Sequence, residues 1–136
     1  RLYKEAYNRG ELAPEFLVTA FLANVFMNEY TGTEHIIFDG VARLMQEAKD
    51  LTDMFMFYQI KKVKILFIEV SPEWALDKAN KRGRTDDKGA DIKAKWFEER
   101  VLPVLEYLKS NPLYEFITIN GEQTIPEVHQ EIISKL

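Results

Sequence analysis

Two short polar constellations carry the residue types that anion and metal chemistry needs. The first is Asp39-Gly40-Val41-Ala42-Arg43, directly behind the apolar run Ile36-Ile37-Phe38. It offers an oxygen ligand, a permissive backbone and a fixed cationic fork, which together suit a phosphate and its metal ion. The second is Arg82-Gly83-Arg84-Thr85-Asp86-Asp87. Two arginines two positions apart can reach one anion together, and the aspartates behind them can fix the loop by pairing with basic groups. Each has a plainer reading, since Asp-Gly after a strand is commonly a turn and a charged segment between helices is commonly solvated. Placed on one parallel sheet, the two point to phosphoryl transfer, where the protein's work is positioning and charge neutralisation.

The elements that must position these groups follow from pattern. The run 36–38 is short, apolar and closed by turn residues, so it reads as a buried parallel strand with Asp39 at its end. Loops at such strand ends gather around a crevice where ligands bind. The clearest strand is 63–70, whose centre Ile65-Leu66-Phe67-Ile68 is continuously apolar, as burial on two sides requires. A third strand, 116–119, is closed by Asn120-Gly121.

Helices alternate with them. One over 1–9 ends at Gly10, and Pro14 opens another that runs to about residue 30. The latter is apolar on most sides (Phe16, Leu17, Phe21, Leu22, Val25, Phe26), which predicts burial between other elements. Helical periodicity returns through Leu44, Ala48 and Leu51. Ser71-Pro72-Glu73 starts a helix with a cap, a first-turn proline and an early carboxylate, ending at Lys81-Arg82-Gly83. A long helix from about residue 91 carries the stripe Phe97, Val101, Val104, Leu105 and Leu108, and Pro103 inside it predicts a kink. Thr124-Ile125-Pro126-Glu127 caps a last helix with Val128, Ile132, Ile133 and Leu136 inward. Strands alternating with helices predict an α/β fold with a parallel sheet.

Composition narrows the function. The 136 residues are one domain's worth of chain, with no internal repeat or linker. A net charge of -4 argues against a broad nucleic-acid face, and the absence of cysteine removes disulfides and thiolate zinc sites. The most apolar stretch, 16–27, is interrupted by Thr19 and Asn24 and falls short of the ~20 residues of a membrane span. The expectation is a cytoplasmic protein. His35 and His129 read as structural or solvated, Met45, Met54 and Met56 with Phe55 and Phe57 as core, and Trp74 and Trp96 as anchors of helices on the sheet.

The ordered set of motifs resembles the adenylate kinases, or another nucleoside monophosphate kinase of that family with a short lid. Asp39-Gly40-Val41-Ala42-Arg43 is similar to the family's Asp-Gly-aromatic-Pro-Arg, and Gly10-Glu11-Leu12-Ala13-Pro14 to its loop at the monophosphate site. Lys81-Arg82-Gly83 and Arg84-Thr85-Asp86-Asp87 match its lid elements. Pro103-Val104-Leu105-Glu106-Tyr107 and Asn120-Gly121 match its later helix and its final turn.

That resemblance implies a three-layer parallel sheet of the P-loop nucleotide kinase type. It implies one domain over 1–136, with monophosphate-binding helices in 1–30 and a short lid at 82–90. It also implies Mg2+-dependent transfer from ATP to a nucleoside monophosphate. Arg43 would hold the acceptor phosphate, with Glu11, Leu12, Ala13, Gly40, Gln46 and Glu47 around the acceptor. Arg82 and Arg84 would close over the donor phosphates and share catalysis with Arg43. Lys78, Lys95 and Gln123 would complete the ATP site, and Asp39 would orient the metal through water. Implied partners are the two nucleotides alone, with no nucleic acid or membrane, and a monomer.

Departures from the family pattern bear on the same residues. Val41-Ala42 replaces the aromatic-proline pair. Glu47 stands where the family has a base-reading glutamine, and a carboxylate cannot donate to a ring nitrogen as an amide does. Lys78 and Lys95 stand at arginine positions and lack the bidentate fork. No Gly-x-x-x-x-Gly-Lys-[Ser/Thr] loop occurs, and the chain begins with Arg1. The resemblance therefore implies the C-terminal part of a longer kinase, with the first strand and P-loop missing, and an inactive fragment. In the family that strand lies between 36–38 and 63–70, and without it buried backbone groups would go unpaired at on the order of 1–3 kcal/mol each. The alternative is a kinase-like domain without catalysis that serves as a binding or assembly module. A third reading is a relative that phosphorylates another small metabolite.

Overall fold

The computed structural model describes residues 13–82 and 95–136. The expected helix over 1–9, Gly10, Glu11 and Leu12 lie outside the described residues. So do Gly83, Arg84, Thr85, Asp86, Asp87 and the start of the long helix at residue 91.

The described elements, in chain order, are α1 (Glu15–Asn28), α2 (Met45–Phe57), β1 (Val63–Glu69), α3 (Pro72–Arg82), a π-turn (Phe97–Val101) continuing into α4 (Leu102–Ser110), β2 (Tyr114–Asn120) and α5 (Ile125–Lys135). The two strands pair in parallel with Val63 opposite Tyr114 and Glu69 opposite Asn120. This is a mixed α/β architecture around a small parallel sheet, as an α/β nucleotide kinase fold would contain.

Capping chemistry fixes most helix starts. The Ser71 hydroxyl accepts the Trp74 amide at 3.3 Å, which begins α3 where expected. Thr124 and Glu127 form the cap of α5, with the Glu127 carboxylate taking both the Thr124 amide (2.8 Å) and its hydroxyl (2.6 Å). The kink at Pro103 takes the form of the π-turn just upstream. The Leu102 amide bonds the Phe97 carbonyl, and the wider turn absorbs the proline's missing donor and its ring.

The interior has two centres. Leu22 and Phe26 of α1 pack on Leu51 and Phe55 of α2. Beneath them Ala48 meets Val104 and Leu108 of α4, with Ile65 of β1 against that group. Thr52, Tyr107 and Tyr114 tie α2, α4 and β2 together by hydroxyl contacts.

Four expectations are corrected. Residues 36–38 are not a buried strand but extended chain without a ladder partner among the described residues. Ile36 and Phe38 pack toward Phe26, while Ile37 is 92% exposed. With no neighbouring strand to bond, the run buries alternate side chains on one face only. β1 is likewise covered on one face: Ile65 and Phe67 are half-buried, whereas Leu66 and Ile68 are exposed. α1 buries one stripe, leaving Phe16 and Phe21 in solvent, and α5 turns Val128 and Ile132 inward but not Ile133 or Leu136. In the first three cases apolar content was read as burial on more than one side, and the described elements supply one cover; in α5 the inward stripe is narrower than the four residues expected.

Candidate active site

Asp39 and Gly40 form a turn rather than a strand end, and the chain then passes through Ala42 into α2. Both Gly40 (φ +69°) and Ala42 (φ +55°) are left-handed. The Arg43 side chain folds back over Gly40: a Cβ there would lie 2.6 Å from Nη2 of Arg43. The φ favours glycine, and the guanidinium rests in the space that a Cβ would take. Asp39 and Arg43 are both exposed.

Glu47, in the first turn of α2, is only 5% exposed. Its Oε2 accepts the backbone amides of Arg43 (3.0 Å) and Leu44 (3.4 Å), which would otherwise be unsatisfied at the helix start. Burial pushes its carboxyl above the usual carboxylate range, and the Arg43 and Leu44 amides oppose that rise. Gln46 is exposed, and its amide nitrogen donates to Asp50 at 2.7 Å. Asp50 also accepts the Thr19 hydroxyl at 2.7 Å, which braces α1 against α2.

Beside this turn lies a cleft of about 630 Å3 lined by Ala13, Pro14, Glu15, Phe16, Leu44, Trp96 and Arg100. The loop that precedes α1, the start of α2 and the helix containing the π-turn therefore meet there. Ala13 is a residue the motifs singled out; Trp96 and Arg100 are not. Trp96, expected only as an anchor, presents its ring to the Arg100 guanidinium at 5.9 Å. The available signal was their separation of four, which puts both on one helix face.

The remaining candidates sit elsewhere. Lys78 and Arg82 are four apart on α3 and share a face with Trp74, whose ring lies 4.9 Å from the Lys78 ammonium. Lys95 pairs with Glu99 at 3.6 Å. Gln123 is half-buried, its amide nitrogen bonded to the Glu131 carboxylate (2.6 Å) and the Asn120 carbonyl (3.2 Å). A second cleft of about 700 Å3 opens at the carboxyl ends of β1 and β2, between Val70-Ser71 and Asn120. Its rim is tied by the Ser71 amide donating to Glu122 at 2.6 Å; hydrogen bonding by the Ser71 side chain, and then by that amide, holds the Glu122 carboxyl below the usual range. Among the described residues no helix is long and apolar enough to cross a membrane, and no group of three His, Cys, Asp or Glu is placed to hold a metal. Glu11, Leu12 and Arg84 lie outside the described residues.

A parallel α/β core thus carries two candidate ligand sites, a cleft beside the Arg43 turn and a crevice at the carboxyl ends of the strands. No family model matches the chain. Among curated proteins it is similar to the adenylate kinase of Prochlorococcus marinus strain MIT 9515, 27% identical over 121 residues, which is 88% of this chain and 65% of that protein. It is also similar to the adenylate kinase of Azobacteroides pseudotrichonymphae genomovar. CFP2, 27% identical over 143 residues, 100% of this chain and 73% of that protein. A third is the adenylate kinase of Mycolicibacterium smegmatis, 29% identical over 135 residues, 98% of this chain and 72% of that protein. The resemblance carried by the motifs is borne out as a similarity: each of these adenylate kinases matches the chain over most of its length. It spans about two thirds to three quarters of the length of these relatives.

Proposed function

We propose that the protein acts as a nucleoside monophosphate kinase of the adenylate kinase type, moving a phosphoryl group from ATP to a monophosphate acceptor. The observation that carries this reading is the Arg43 turn, similar to the family's acceptor loop and set beside the cleft formed by Ala13, Leu44 and Trp96. A guanidinium laid over a glycine, with no side chain between it and solvent, suits bidentate capture of a phosphate.

In this account Arg43 binds the acceptor phosphate, and Ala13, with Glu11 and Leu12, borders its nucleoside. Lys78, Arg82, Arg84 and Lys95 neutralise charge on the donor phosphates, the arginines reaching from a lid over 82–90. Gln123 borders the donor base by its backbone, since its amide is engaged with Glu131 and Asn120. Magnesium would supply charge neutralisation across the phosphates. A single exposed carboxylate, Asp39, fits a metal held mainly by water and substrate oxygens. Proximity and charge stabilisation then provide the rate, with no covalent step on the protein. The three-layer sheet, the single domain over 1–136 with acceptor helices in 1–30, the cytoplasmic location and the monomeric state belong to the same proposal.

The test is phosphoryl transfer by the full-length gene product from ATP and Mg2+ to AMP, CMP, UMP and GMP. Formation of the matching diphosphate with at least one acceptor supports the reading. Binding of nucleotides without transfer would favour the non-catalytic module, and neither binding nor transfer would contradict both.

A further inference from the structure

The position that the family resemblance assigns to reading the acceptor base is occupied here by a carboxylate already committed inside the protein. Glu47 is nearly buried, and its Oε2 takes the amides of Arg43 and Leu44. Those two amides follow the left-handed Ala42, so the carboxylate ties down the end of the turn, while at Gly40 the absence of a Cβ leaves room for the guanidinium. Val41-Ala42 has no proline to hold that turn. A buried acceptor that gathers two successive N–H groups can do the same work from below, by fixing where the Arg43 backbone lies and so where its guanidinium rests.

We infer that Glu47 is a positioning residue for Arg43, holding the acceptor-phosphate arginine in place through the backbone, and that it does not read the base. This rests on the reading of Arg43 as the phosphate-binding group. One consequence is for specificity: with Glu47 turned inward, position 47 presents no side-chain donor to the acceptor's ring. Discrimination among monophosphates by this helix is then weak, and affinity resides in the phosphate.

The experiment measures, on the full-length protein, calorimetric affinities for each of AMP, CMP, UMP and GMP and for the corresponding nucleosides. The monophosphate-to-nucleoside ratio isolates the phosphate's contribution. Arg43→Ala should collapse that ratio. Glu47→Ala should lower it about tenfold, the loss expected from misplacing one charged hydrogen-bond partner, with nucleoside affinities and the order among bases unchanged. Glu47→Gln keeps an oxygen that accepts the same two amides and should retain most of the ratio. Should Glu47→Ala not fold, Glu47→Asp makes the same comparison, because its carboxylate falls one methylene short.

If the Glu47 variants change the order among bases, or change nucleoside and monophosphate affinities equally, position 47 reads the base and the inference is overturned. If Arg43→Ala lowers the ratio but no Glu47 variant does, the inference fails while the role of Arg43 stands. If Arg43→Ala leaves the ratio unchanged, the underlying reading fails and the inference with it.

Discussion

The guanidinium of Arg43 lies across the Cα of Gly40, so close that a Cβ there would meet Nη2 at 2.6 Å. Gly40 also has φ +69°, a conformation that costs an L-residue about 1–2 kcal/mol. Gly40→Ala should therefore do two separable things. It should destabilise the fold by roughly that strain alone, because the arginine tip is flexible and can swing away. It should also displace the guanidinium and weaken monophosphate binding by more than the stability loss explains. Urea denaturation beside calorimetry reads the two effects; unchanged monophosphate affinity would show that the contact does not matter for binding.

Gly121 joins the two strand ends under tighter constraint. Its amide donates to the Glu69 carbonyl at 2.8 Å, and a Cβ would sit 2.6 Å from Val70 Cγ1, 2.8 Å from Ile68 Cγ2 and 3.0 Å from the Glu69 oxygen. These neighbours include backbone and short branched side chains, which cannot swing aside as an arginine does. Gly121→Ala should cost about 1–3 kcal/mol through overpacking, seen as a lower denaturation midpoint with an unchanged slope.

Thr52 donates its one hydroxyl proton to the Ala48 carbonyl at 2.7 Å, so it must accept from Tyr114 (2.6 Å) and Tyr107 (3.3 Å). Thr52→Val leaves those phenols without that acceptor, at about 1–3 kcal/mol. Burial pushes the Tyr114 phenol above 10, its ordinary value. A folded-state pKa raised above the unfolded one gives stability that is present below about pH 10 and lost as pH rises through the folded value. Absorbance titration of tyrosinate alongside unfolding at pH 9–11, in wild type and Thr52→Val, checks both statements.

Two glutamates should respond to acid with opposite signs. Glu34 accepts the Thr31 hydroxyl (2.5 Å) and the amides of Thr31, Gly32 and Thr33, and these hydrogen bonds hold its carboxyl at about 2. Its contribution is complete above about pH 4.5 and is lost as pH falls toward 2. Glu47 is raised instead, by burial, so its contribution is present below its unfolded value and lost as pH rises. Glu47→Gln, which mimics the neutral form, should melt no lower than wild type at pH 7, whereas Glu34→Gln should flatten the acid limb. A melting series from pH 2 to 8 separates the two.

Local chemistry was readable where a residue's role is local. Ser71 and Thr124 with Glu127 each announced a cap, and each cap is found there; Pro103 announced an irregular helix, and the π-turn lies just upstream of it. What could not be read is what depends on a neighbour. Ile36-Ile37-Phe38 has a strand's composition, but a strand needs a ladder, and without one Ile37 faces solvent. Phe16 and Phe21 look like core for the same reason. At the candidate site, resemblance drew attention to Glu47 as a base-reading position and away from a plainer signal. A glutamate in the first turn of a helix that has no Ser, Thr, Asp or Asn before it is a ready partner for the unsatisfied amides. Trp96 and Arg100 were hidden differently: a tryptophan at helical spacing reads as core until the cleft it borders is known.

The most direct measurement is steady-state transfer from ATP to the preferred monophosphate by the full-length protein and its Arg43→Ala variant. The phosphate-holding role of Arg43 predicts a KM for the acceptor raised by roughly 10–100-fold, as loss of a charged hydrogen-bond pair implies, with the KM for ATP and the folded state unchanged. An acceptor KM equal to wild type, or no transfer to any of the four monophosphates by the wild-type protein, would contradict it.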